Sequence, residues 1–155
     1  MNFEETVRSL KVSDFIFAMV EGLANPKIKI DMGCYGRVVE GKIHGCAATA
    51  AIIQLYPSIE TSIKSCAEQG FRTPFYPFEY EFISYFEDIF DYMRYGNISG
   101  DIFTNVNRKL SLISLPYLQI PSSLEGKLPY LGDDYTKEQL ELYTQLAEYN
   151  KSIGN

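Results

Sequence analysis

The first clear hydrophobic pattern along the chain runs through Phe15, Ile16, Met19, Val20 and Leu23, a spacing of i, i+1, i+4, i+5 and i+8. Apolar residues at that period line one face of an α-helix. Ser13 and Asp14 precede the stripe as helix-start residues, and Asn25-Pro26 ends it, since proline lacks the amide proton that another turn requires. The character then changes. From Ile28 to His44, β-branched residues alternate with glycines, and Glu40-Gly41 separates Val38-Val39 from Lys42-Ile43. That reads as one short β-hairpin. A two-residue turn sets Arg37 opposite His44, whereas a bulged turn with a left-handed Gly41 sets Gly36 there. Both registers fit the sequence, and no further strand is expected.

From Cys46 to Tyr56 the run CAATAAIIQLY is apolar nearly all round and rich in alanine. Such a segment suits a central helix, buried on most sides and closely approached by its neighbours. Pro57-Ser58 restarts a more polar helix to about Glu68, and Gly70 ends it. Phe78, Phe82, Tyr85, Phe86, Ile89, Phe90 and Met93 then form an aromatic stripe opposite Ser84, Glu87, Asp88, Asp91 and Arg94, which predicts a long surface helix over 78–95. Ile102, Phe103, Val106 and Leu110 extend the pattern into a further helix.

Ser111 to Asp134 carries three prolines yet too many Leu, Ile and Tyr residues for a solvated linker, so it is expected to lie extended over the helices. Thr136 and Gln139 form a capping box for a last helix, with Leu140, Tyr143, Leu146, Ala147 and Ile153 on its apolar face. These elements sum to a predominantly α, α+β fold: five or six helices packed around one short hairpin, in one globular domain over residues 1–155.

Composition narrows the function classes. A hydrophobic share of 46% is that of a chain that folds on a core, and a net charge of -6 with no Lys/Arg-dense stripe argues against binding nucleic acid through its phosphates. The N-terminal residues lack the pattern of a signal peptide, and no apolar run approaches the ~20 residues of a membrane span. Cys34, Cys46 and Cys66 are an odd number at spacings that match no disulfide framework. Free thiols and a cytoplasmic location are the expectation.

Reactive side chains concentrate between Asp31 and Cys46, which include two of the cysteines and the single histidine. Cys46 falls where the hairpin feeds the central helix, and a thiol at a helix N-terminus is a favoured nucleophile. His44, two residues earlier on an extended strand, shares its side and could act as base. Against this, free cysteines are usually buried as small hydrophobes, and a core Cys46 would lose stability on replacement by serine. Cys34, His44, Cys46 and Asp31 supply atoms suited to zinc, but at no recognised spacing, so no metal and no cofactor are expected.

The acidic residues of the 78–95 helix belong to its solvated face. Templates for nucleotide binding, serine hydrolysis and zinc proteolysis are absent from the sequence. Phe75, Tyr76 and Tyr80 flank Pro74 and Pro77, and Tyr117 and Tyr130 follow Pro116 and Pro129; aromatic residues around such prolines favour interfaces. The leading expectation is a non-enzymatic protein-binding or regulatory module with another protein as partner. The alternative is a thiol-dependent enzyme with Cys46 as nucleophile and His44 as base.

Overall fold

The computed structural model describes residues 10–31, 36–57, 60–61, 64, 118–129 and 134–155. In chain order they form helix α1 (Val12–Leu23), strands β1 (Ile28–Ile30), β2 (Arg37–Val39) and β3 (Lys42–Gly45), and helices α2 (Ala47–Leu55) and α3 (Lys137–Ser152). The expectation of five or six helices around a lone hairpin is therefore corrected: the described residues hold three helices and a three-stranded sheet of order β1-β3-β2. The additional strand is Ile28-Lys29-Ile30, which runs parallel to β3. Three residues are too few to display a period, and a parallel partner leaves no turn in the sequence to announce it. The helices expected over 78–95 and 101–110 lie outside the described residues.

The hairpin takes the two-residue register, with Arg37 opposite His44 and Val39 opposite Lys42. Glu40 and Gly41 both have positive φ, 51° and 76°, as the turn that matches strand twist requires. Glycine adopts this geometry freely, while a glutamate there costs roughly 1 kcal/mol. Along β1 and β3 burial alternates. Ile28, Ile30 and Ile43 face the core, while Lys29 and Lys42 are exposed.

α1 begins two residues earlier than a start capped by Ser13 would give. Lys11 is the N-cap, Asp14 accepts a hydrogen bond from its backbone N–H at 3.0 Å, and Ser13 is buried in the first turn. At the other end Asn25 turns the chain, with its Oδ1 accepting from Lys27 N–H at 2.9 Å. α2 packs on α1 through alanines: Ala47, Ala50 and Ala51 are wholly buried. The contact is closest at Gly22, where an added Cβ would lie 2.6 Å from the backbone carbon and oxygen of Ala50.

α3 starts on the expected capping box. Thr136 N–H donates to Gln139 Oε1 at 2.8 Å, and Gln139 N–H donates to Thr136 Oγ1 at 3.2 Å. Its inner face buries Tyr143, Leu146, Ala147 and Asn150; Ile153, expected on that face, lies just past the helix and is 44% exposed. Asn150 ties in the segment 118–129. Its amide accepts from Gln119 N–H and donates to Gln119 C=O and Leu146 C=O, each at 2.9 Å. Leu118, Leu124 and Leu128 of that segment enter the same core as α1 and α2.

Two tyrosines complete the polar ties. Tyr143 donates to the carbonyl of Pro129, and Tyr135 donates to the carbonyl of Leu23 at the end of α1. Burial pushes both phenols above their ordinary pKa, Tyr143 far more than Tyr135.

Gly22→Ala should destabilise the protein by about 1–2 kcal/mol in a denaturation series, because overpacking against backbone costs up to about 3 kcal/mol, more than the roughly 1 kcal/mol gained in helix propensity. An unchanged midpoint would mean that the two helices are not in close contact. For Tyr143, the neutral phenol is favoured in the folded state while the unfolded phenol ionises near pH ~10. The contribution is present below that pH and lost above it, so stability should fall as pH rises past ~10. Tyr143→Phe should flatten this alkaline decline, as read from midpoints on either side of that pH.

Candidate binding face on the sheet and the Cys46 helix start

The two ladders place Lys29, His44 and Arg37 side by side, one from each strand, with His44 in the middle. Directly opposed residues share a face of a sheet, so these three point to the same side, opposite the face that buries Ile28 and Ile43. Lys42 and Val39 belong to that outer side by alternation, and both are exposed. Adjacent strands are about 4.8 Å apart, so the row spans roughly 10 Å. Asp31, one residue past β1, holds Arg37 by a 2.6 Å ion pair, with the two side chains 26% and 58% exposed. Among the described residues no ion pair engages Lys29 or Lys42.

Lys29 and Lys42 are diagonal neighbours on adjacent strands, and like charges so placed in water repel only weakly. A lysine on an edge strand deters pairing with other chains. That account covers Lys29 on the edge strand β1 but not Lys42, which sits on the central strand.

Cys46 follows β3 directly and is the N-cap of α2, so the sheet passes into the helix with no intervening loop. Its side chain is a free, half-buried thiol, and Sγ lies 3.5 Å from the hydroxyl oxygen of the buried Thr49. Thr49, rather than the His44 imidazole, is the hydrogen-bond partner of the sulfur. The Cys46 side chain makes no capping bond to the helix N–H groups.

The structure thus brings His44 and Cys46 to one sheet corner, two residues apart, with His44 between Lys29 and Arg37 in the row and Cys46 at the helix start. Of the other atoms weighed for zinc, Cys34 lies outside the described residues and Asp31 is paired to Arg37. Among the described residues no three metal-binding side chains converge, and no helix is long and apolar enough to cross a membrane. Phe75, Tyr76, Tyr80, Tyr117 and Tyr130 all lie outside the described residues. The cationic row itself was hidden in the sequence. Lys29 stands alone between two isoleucines, and only the parallel pairing sets it beside His44.

Comparison with protein families, with curated proteins and with solved structures gives no match, so the functional reading rests on this geometry.

The half-buried N-cap position of Cys46 reverses the expectation for its replacement by serine. A serine hydroxyl is a far better acceptor for the first-turn N–H groups, and good caps are worth about 0.5–2 kcal/mol over non-capping residues. Cys46→Ser should leave the protein as stable as before or stabilise it by about 0.5–1 kcal/mol. A loss of more than about 1 kcal/mol would instead indicate an enclosed apolar site.

Proposed function

We propose that the chain is a non-enzymatic protein-binding module and that it binds through the outer face of the sheet. One observation carries this reading: the three strands set Lys29, Lys42 and Arg37 on one exposed face, and among the described residues no ion pair engages either lysine. A partner carrying the opposite charge would pair with these lysines in the complex. Because charges are screened beyond about 8 Å at physiological salt, the local surplus of positive charge governs an encounter at this face, not the chain's overall -6.

The second reading is a thiol-dependent enzyme, and what favours it is the position of Cys46 at the start of α2. It would need the His44 imidazole to serve a sulfur whose present partner is Thr49. One variant separates the two. With Cys46→Ser, native affinity capture with in-cell crosslinking should recover the same protein partner in the same amount, with crosslinks mapping to Lys29 and Lys42. A chain that stays solitary in such an extract, or capture that depends on the thiol, would overturn the binding-module reading.

A further inference from the structure

Resting on that binding reading, we infer that the outer sheet face, through Lys29, Lys42 and Arg37, takes an acidic segment of polypeptide in extended conformation. Positive charge comes from all three strands rather than from one protruding loop, so it is spread over a flat surface. A flat cationic surface about 10 Å across fits a chain whose carboxylates recur along one side. In an extended segment, acidic residues at alternate positions lie about 7 Å apart on one side and can address two strands at once.

Three details argue for a polypeptide over a phosphate-rich polymer. The Arg37 guanidinium is already held by Asp31, and that carboxylate on the same side of the sheet opposes closely spaced phosphates more than carboxylates set about 7 Å apart. A guanidinium carries five N–H donors in a planar fork, so beyond its bond to Asp31 that of Arg37 has donors left for a second carboxylate. Val39, 39% exposed at the hairpin end of the face, offers an apolar contact that a peptide side chain fills and a phosphate backbone does not. The edge strand β2 runs alongside. Its pairing with β3 uses the backbone groups of Arg37 and Val39, which turns the N–H and C=O of Val38 outward. An extended peptide can dock against those two groups while its carboxylates reach the lysines.

The test uses the full chain and a labelled peptide of about ten residues with glutamate at alternate positions, long enough to span the face. The expected result in fluorescence anisotropy is saturable binding that weakens at least about tenfold for Lys29→Glu/Lys42→Glu, weakens with added salt, and is absent for the matching glutamine peptide. Denaturation midpoints of wild type and variant are measured alongside. If charge reversal shifts the midpoint, Lys29→Gln and Lys42→Gln are read singly, each with a smaller loss of at least about threefold. Binding of the glutamate peptide that the lysine variants leave unchanged would overturn the inference, as would its absence. Preferential binding of inorganic polyphosphate, single-stranded RNA or anionic vesicles would overturn it in favour of another anion. The two readings fail separately. Capture of a protein partner that survives Lys29→Glu/Lys42→Glu sinks the acidic-segment inference alone, whereas failure to capture any partner sinks the module itself.

Discussion

The architecture depends on how closely α1 and α2 approach at Gly22 and Ala50. With no side chain on Gly22 and only a methyl on Ala50, the two backbones come to a distance at which a single added carbon would sit 2.6 Å from peptide atoms. That approach sets where α2 lies. Since α2 grows directly out of β3 through Cys46, it also fixes the sheet relative to α1. β1 leaves α1 after only the short Asn25 turn and pairs with β3, so the two helices and the sheet constrain one another. Close contact of small residues stabilises by dense van der Waals packing, and a packed interior has little room to absorb an extra methyl group.

Around that contact, single polar side chains hold segments distant in sequence. Asn150 is wholly buried, yet its amide makes three hydrogen bonds, two of them to the backbone of Gln119, so its oxygen and both of its N–H donors are satisfied. Tyr135 and Tyr143 act similarly on the carbonyls of Leu23 and Pro129, acceptors that helix or sheet ladders leave unpaired. The N–H of the buried Ser13, one of the unpaired donors of the first turn of α1, is satisfied by the oxygen of Asn155 at 3.0 Å, which draws the end of α3 to the start of α1. An unsatisfied buried group costs about 1–3 kcal/mol, so each such bond favours one arrangement over its alternatives more than it adds net stability.

The outer face of the sheet runs the other way. Its hairpin turn holds a glutamate at positive φ, and the ion pair between Arg37 and Asp31 is partly solvent-exposed and therefore weak. Local departures from the arrangement that best stabilises a fold concentrate where a protein meets something else. Here Lys42 falls on the central strand, where protection of an edge supplies no explanation.

Much of the local structure was legible in the chain. The α1 stripe, its stop at Asn25-Pro26, the alanine-rich α2 and the Thr136-Gln139 capping box each depend on residues within one or two turns of one another, so periodicity and capping chemistry suffice to specify them. The hairpin turn was legible too, though not its register, because both turn geometries satisfy the same residues. What only the tertiary structure decided is non-local. Ile28-Lys29-Ile30 becomes a strand only by meeting β3 in parallel, and that meeting sets Lys29 beside His44 and Arg37. Gly22 sits mid-helix as an ordinary weak point until Ala50 comes against it. Cys46 and His44 drew notice by their chemistry, yet the partner of the sulfur turned out to be Thr49 on the following helix turn. Pattern along a chain encodes which face of an element is apolar, whereas which surfaces meet, and so which charges become neighbours, is settled by packing between segments that the pattern does not relate.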